Sequence, residues 1–567
     1  MNPTILHSLN AWSAARPEQV ALRFLSDRGA VERELTFAAL RRRALGVAAA
    51  LAARGVAPGD RAILVFPPGL DFVVGFLGCL YARVVAVPVM PPRRVGARDV
   101  SVGIARDCDA RAALTGATFL TKTRPDLPER FAEHPIEWIA IDPEDAGSEP
   151  PDLLPPEASV IAFLQYTSGS TSAPRGVIVT HDRLYANLRM MEAAFGNGPR
   201  SDYVSWVPLH HDMGLILNVL EALHIGACCT LLSPVGFQQR PLNWLKTIAR
   251  TKAEVAGGPN FAFDLCVKRF DAAAMQGVDL SGWRIAFNAA EPVRADTMAR
   301  FARTYTPYGF DARAFFPCYG MAEATVFVSG GPKGDGPVVR AISRAQLQTG
   351  CIAGPSDPGD AQAVVGCGTA ALDTQIAIVD PDTGRRCAPE RVGEIRVHGP
   401  QIGAGYWNNP GASRETFEST IEGEPGCTWL RTGDLGFIDA SGMLFVTGRL
   451  KDMLIVRGKN HYPQDIEQTV LGVDPACRPG HGAVVALDED AQLLMMQEIE
   501  RTHRHRDDLD DLAARIREAV SAEHDLSLAS VTLVAPGAMP VTTSGKIQRQ
   551  RARELWQAGR LDVLFQL

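Results

Sequence analysis

A strand, a helix and a second strand are written into residues 61–89, and together they leave few folds open. Arg61 to Phe66 (RAILVF) reads as a buried strand, Gly69 to Ala82 as a helix, and Val84 to Val89 as another strand. Strands without polar alternation must be covered on both faces, and a helical crossover joins parallel strands, so the pattern predicts α/β layering. Ser159 to Gln165 and Gly176 to Val179 are further strand candidates with a Gly/Ser/Thr loop between them. After Gly366 the texture changes to short alternating strands, TQIAIVD, GEIRVHG and GMLFVTG, separated by Gly, Asp and Pro turns. That predicts a smaller β-rich unit appended to the α/β body.

Beyond Arg449 the pattern changes again. KDMLIVRG reads as a strand, HYPQDIEQTVLG as a helix entered at Pro463, Gly482 to Leu487 as a strand, and Leu509 to Glu523 as an amphipathic helix. A boundary is expected at 449–451, giving a body over 1–448 and a small α+β domain over 449–560. Residues 330–368, rich in Gly, Pro, Ala and Asp, read as an insertion or long loop. The last residues, LDVLFQL at 561–567, suit a native terminus or a protease-site remnant of recombinant expression, and no role is assigned to them.

Composition narrows the function. With 567 residues, 46% hydrophobic and 21% charged, the chain can bury more than one core and is not disordered. Its net charge of −7 argues against bulk nucleic-acid binding. The 11 cysteines show no C-x-x-C pair and no zinc spacing, so reduced thiols and a cytoplasmic setting are expected. The most apolar run, Phe72 to Ala82, is far short of the ~20 residues a membrane helix needs.

The densest chemical signal is YTSGSTSAPRG, Tyr166 to Gly176. Small hydroxylated residues and glycines let backbone N–H groups approach a polyanion, and Arg175 adds charge. It is not a Walker A loop, because no G-x-x-x-x-G-K-[ST] occurs. Gly366 to Ala371 fits G-x-G-x-x-A, but LDTQIAIVD after it alternates like a strand, where a dinucleotide fingerprint opens a helix. That motif is rejected.

YTSGSTSAPRG resembles the phosphate loop of the adenylate-forming superfamily, and four further motifs follow in the family's order. FPCYGMAEAT (Phe316 to Thr325) resembles the adenine and magnesium motif, and WLRTGD (Trp429 to Asp434) the ribose motif. GRLKD (Gly448 to Asp452) resembles the interdomain hinge, and PVTTSGK (Pro540 to Lys546) the catalytic-lysine motif. WVPLHHDMGLI, NAAEPVR, FPCYGMAEATVFVSGG and RGKNHYPQDIE are closest to the fatty acyl-AMP ligase branch, whose specific insertion falls at 330–368. Ser172 and Arg175 stand where Gly and Lys are commoner. Arginine keeps the charge but offers a planar fork.

The resemblance implies a body of layered α/β subdomains with a β-rich subdomain, closed by a mobile lid. It implies ATP and Mg²⁺, a fatty acid converted to acyl-AMP, and transfer to the phosphopantetheine thiol of an acyl carrier protein. Lys546 would be the catalytic cation between carboxylate and α-phosphate, Glu323 the Mg²⁺ ligand, and His211 a residue at the acyl entrance. Thr167, Ser168, Gly169, Ser170, Thr171 and Arg175 would hold phosphates. Ala290, Glu291, Tyr319, Gly320, Met321, Ala322 and Thr325 would line the adenine site, with Asp434 and Arg449 on ribose or phosphate and Lys451 at the pivot. Met213 to Leu220 and Asn260 to Leu265 would line the acyl pocket. A fatty acyl-CoA synthetase and a silent nucleotide-binding scaffold are the rival readings; the insertion argues against the first, and the presence of Glu323, Asp434, Arg449 and Lys546 against the second.

Overall fold

The computed structural model describes residues 3–92, 99–141, 153, 156–167, 174–487, 492–542 and 545–567. The strand–helix–strand reading of 61–89 is realised as Arg61–Leu64, Leu70–Ala82 and Val85–Pro88, with the two strands parallel neighbours. They belong to a six-stranded sheet ordered Glu137–Ile141, Ala112–Gly116, Arg61–Leu64, Val85–Pro88, Ile161–Thr167, Arg175–Thr180. Only the last pair is antiparallel, which makes Ile161–Thr167 and Arg175–Thr180 a hairpin.

A nine-stranded sheet forms the other layer. Its central parallel strands are Phe315–Tyr319, Ile285–Asn288, Val255–Gly258, Tyr203–Ser205, Cys229–Leu231 and Val20–Leu25. One apolar core spans both sheets and buries the helix Leu70–Ala82 almost completely, as a helix between two sheets must be. The connections leaving the C-terminal ends of Val255–Gly258, Ile285–Asn288 and Phe315–Tyr319 carry Asn260, Glu291 and Glu323. Open parallel sheets bind ligands at that edge.

The β-rich unit is an antiparallel sheet of Gln375–Val379, Gly393–His398, Glu424–Ile438, Ser419–Ile421 and Leu444–Arg449. Residues 330–368 are more ordered than their composition suggests. Val339–Ser343 and Ala361–Val365 pair as antiparallel strands, and Ile342, Leu347, Ile352 and Val364 pack with Phe437, Phe445 and Tyr462. This tertiary packing overrides the loop-like content.

The C-terminal region has its own core under a sheet ordered Cys477–Ala486, Leu493–Ile499, Leu528–Val534, Val563–Gln566, with helices Pro463–Val473 and Leu509–His524 against it. Residues 561–567 therefore have a structural place: Val563–Gln566 is the edge strand, antiparallel to Leu528–Val534. KDMLIVRG contributes only a short strand, Leu454–Val456, paired with Lys459–His461. Among the described residues no helix is long and apolar enough to cross a membrane.

Candidate functional site

Asp434 and Arg449 are cross-strand partners in the β-rich sheet. That register brings the guanidinium within 3.1 Å of the Asp434 carboxylate. Tyr319, at the end of its parallel strand, donates its hydroxyl to the other oxygen of Asp434 at 2.7 Å. The α/β body and the β-rich unit thus meet at one buried carboxylate.

Lys546 enters from the C-terminal domain on a tight hairpin. Val541 bridges Ile547, the Thr542 N–H donates to the Lys546 carbonyl at 2.7 Å, and the Lys546 N–H donates to the Thr542 hydroxyl at 3.0 Å. Burial and the facing Arg449 push the Lys546 ammonium below its ordinary value, while Asp212, Asp434 and Glu291 oppose the shift. Residues far apart in the chain therefore act on one amine.

Asp212 is a member that sequence reasoning missed. Its carboxylate is buried and lies 2.6 Å from Nδ1 of His211. Burial would raise its pKa, but His211, the Met213 N–H and Lys546 hold it below the usual range. The adjacent acid in HHDMG was the available signal. His211 reaches the cluster through this pair.

Glu291 accepts the Phe261 N–H at 2.7 Å, which seats its loop on the first turn of the helix Asn260–Lys268. Burial pushes its carboxyl up, against the pull of Phe261, Lys546 and Arg294. Glu323 is raised by burial as well, and opposed first by the Tyr406 hydroxyl, which donates to it at 2.8 Å. Tyr406 also carries the Arg175 guanidinium 5.3 Å from its ring centroid, so one tyrosine touches both Arg175 and Glu323. No local pattern in GYWNNP announced that role.

Two non-glycine residues here have left-handed backbones: Ala290 at φ 71 and Thr325 at φ 66, each beside one of these glutamates. Gly320 is required by a close approach, because a Cβ there would stand 1.7 Å from the Val326 carbonyl oxygen. Met321 and Ala322 continue this turn, Ala322 buried at its start. Thr325 is fully buried and donates its hydroxyl to the Gln401 carbonyl at 2.7 Å, which braces the Glu323 turn.

Thr167 and Arg175 face each other across the hairpin. Ser168, Gly169, Ser170 and Thr171 lie outside the described residues. Lys451 is exposed on the turn after Arg449.

The insertion and the body both grip the C-terminal domain. Gln362 donates to Asp465 at 2.9 Å, Arg344 binds the Glu523 carboxylate at 2.7 Å, and the Asn460 N–H donates to the Gln348 carbonyl at 2.8 Å. Lys268 pairs with Glu500 at 2.6 Å, and Arg294 donates to the Gln464 carbonyl at 2.9 Å.

The strand ends of a two-sheet body thus meet a lysine carried on a separate small domain, with Asp212, Asp434, Glu291 and Arg449 acting on its amine. Known proteins of that kind match along nearly all of the chain. The profile described as AMP-binding enzyme matches residues 9–407, and that of the Disco-interacting protein 2-like AMP domain matches residues 451–566. The medium-chain-fatty-acid–[acyl-carrier-protein] ligase JamA of Moorena producens is 37% identical, over 99% of this chain and 96% of that protein. A structure from work on fatty acyl-adenylate ligases of E. coli and L. pneumophila superposes with a TM-score of 0.88 at 30% identity, covering 98% of each chain. The L. pneumophila fatty acyl-adenylate ligase in complex with acyl adenylate and pyrophosphate is 36% identical with a TM-score of 0.75, covering 100% of this chain and 97% of that one. The chain belongs to the AMP-binding enzyme family, in its fatty acyl-AMP ligase branch.

Proposed function

We propose that the protein activates a medium- or long-chain fatty acid with ATP, releasing pyrophosphate and forming acyl-AMP. It then passes the acyl group to the phosphopantetheine thiol of an acyl carrier protein. The observation that carries this reading is the electrostatic convergence of Lys546 with Asp212, Glu291, Asp434 and Arg449 from separate parts of the body. The relatives named above as an acyl-carrier-protein ligase and as a fatty acyl-adenylate ligase supply the substrate class.

In the first half-reaction a fatty carboxylate oxygen attacks the α-phosphorus, the bond to the β-phosphate bridging oxygen breaks, and pyrophosphate leaves. Two anions must approach, so charge neutralisation is the main task. Lys546 bridges the carboxylate and the α-phosphate. Asp434 accepts the ribose hydroxyls, Arg449 contacts ribose or phosphate, and Arg175 with the loop from Thr167 to Thr171 receives the β- and γ-phosphates. Tyr319 through Ala322, with Ala290 and Glu291 opposite, enclose adenine. His211 stands at the acyl entrance, held by Asp212.

The donor set fits Mg²⁺. Carboxylates outnumber cations around Lys546 and Arg449, and Glu323 offers a hard oxygen held in place by Tyr406. Among the described residues no three His, Cys, Asp or Glu side chains form a metal site, which suits an ion held by one carboxylate, phosphate oxygens and water. When bound it neutralises charge on the departing phosphates.

In the second half-reaction the thiol sulfur attacks the acyl carbon and AMP leaves with the anhydride oxygen. Lys546 is then no longer needed. A lid taken to begin at 449 and to run to about 560 moves on the Lys451 turn to admit the pantetheine arm. The test offers acids of graded length with ATP and Mg²⁺, and coenzyme A and a holo carrier protein as competing acceptors. Acyl-AMP formation with transfer to the carrier is expected; rapid acyl-CoA formation overturns the acceptor assignment, and no pyrophosphate release overturns the reaction.

A further inference from the structure

Arg294 stands in the AEPVR segment next to the adenine-side loop, yet its side chain points across the domain seam. Asn260 fixes its backbone: the Asn260 side-chain carbonyl accepts the Arg294 N–H at 3.1 Å and the Asn288 amide at 3.2 Å, while its own amide donates to Thr297 at 3.0 Å. The guanidinium then donates to the Gln464 carbonyl and faces the Asp465 carboxylate.

Gln464 and Asp465 open the helix Pro463–Val473. The same helix carries Glu467, whose two oxygens hold the Arg549 guanidinium at 2.8 and 2.7 Å. Arg549 also binds Asp452 at 2.7 Å, and it begins the helix just beyond the Lys546 hairpin. A continuous chain of short contacts thus runs from Arg294 through one helix to the base of the hairpin that presents Lys546. Gln464 adds a further restraint by donating to the Thr447 carbonyl at 2.6 Å.

We propose that Arg294 is a positioning residue for the first half-reaction only, setting the placement of Lys546 by anchoring the helix Pro463–Val473 to the body. The inference rests on the adenylating function proposed above. A charged donor to a buried-side carbonyl holds one orientation of the lid, and removing it shifts the population away from that orientation without touching a reacting atom. The same shift does not impede a thiol reaching acyl-AMP that is already formed.

The test uses the full chain and separates the halves. Acid-dependent pyrophosphate release is measured for wild type, Arg294→Ala and Arg294→Lys, and single-turnover transfer to a holo carrier protein is measured from supplied acyl-AMP. Arg294→Ala is expected to slow pyrophosphate release roughly 10-fold or more, with transfer within about twofold of wild type or faster and Arg294→Lys recovering part of the loss. Glu467→Gln, which loosens the other end of the chain, is expected to give the same signature and to add little to Arg294→Ala. Equal losses in both halves, or unimpaired pyrophosphate release, overturn the proposal. A wild-type protein that releases no pyrophosphate with any fatty acid overturns the underlying function instead.

Discussion

Replacing Lys546 with alanine removes the cation that the Val541–Ile547 hairpin brings to the site. The ammonium is surrounded by Asp212, Asp434 and Glu291, with Arg449 as the other nearby cation. In its absence the fatty carboxylate and the triphosphate meet a region whose fixed charge is more negative. Loss of a single preorganised donor costs ~10²–10³ in rate, about 2.7–4 kcal/mol, and the three carboxylates left behind favour the upper end. The assay is pyrophosphate release at saturating ATP and acid, set beside equilibrium ATP binding, so that kcat and affinity are read separately. The fall should lie in kcat. Transfer from supplied acyl-AMP should stay within about twofold, since Lys546 has no part in that half.

The same residue sets a pH limit. Burial and Arg449 lower the Lys546 pKa, so its cationic form is lost as pH rises through a value below the ~10.4 of a free lysine. The alkaline limb of pyrophosphate release should therefore fall early in wild type and be absent from Lys546→Ala. A loss under 10-fold, or an equal loss in both half-reactions, refutes the assignment.

Three other perturbations read the surroundings of that amine. Asp434→Asn weakens the Arg449 pair and the Tyr319 hydrogen bond and removes the charged acceptor proposed for ribose; a loss of ~1.5–3 kcal/mol appears as a roughly 10–150-fold rise in the ATP KM. An unchanged KM would remove Asp434 from nucleotide binding. Asp212→Asn takes away one of the anions that keep Lys546 protonated, so the alkaline limb should move to lower pH; a limb that stays put shows that the pair with His211 is structural. Gly320→Ala places a methyl against the Val326 carbonyl oxygen and should destabilise the chain by at least ~3 kcal/mol, read by thermal unfolding.

What the sequence revealed depended on how local the cause was. Arg61–Leu64 and Ile161–Thr167 were legible because strands buried on both faces read as apolar runs without polar alternation, AIL in the first and IAFL in the second. Val339–Ser343 and Ala361–Val365 were not, because their pairing is held by Phe437 and Phe445 of a neighbouring sheet. Glu323, Asp434, Arg449 and Lys546 could be named because each sits in a motif with its own texture. Tyr406 carries no such mark, and Asp212 and Arg294, although they sit inside HHDMG and NAAEPVR, gain their chemistry from what stands opposite them once the chain has folded. Thr325 shows the converse, a polar residue within a motif whose hydroxyl faces the backbone of another segment.

The contacts that the body and residues 330–368 make with the C-terminal domain bear on how firmly that domain is held. Arg344–Glu523 and Lys268–Glu500 are solvent-touched ion pairs, worth ~0–1 kcal/mol each. The hydrogen bonds from Gln362 to Asp465 and from Asn460 to Gln348 add about 0.5–1.5 kcal/mol apiece. No one of them fixes the domain, but together they reach a few kcal/mol, enough to make one orientation predominate because ~1.4 kcal/mol is already tenfold. A bias of that size remains within the range that a bound product or an arriving partner can reverse through differential affinity. These contacts, from the body and from residues 330–368 alike, therefore weight an orientation without locking it.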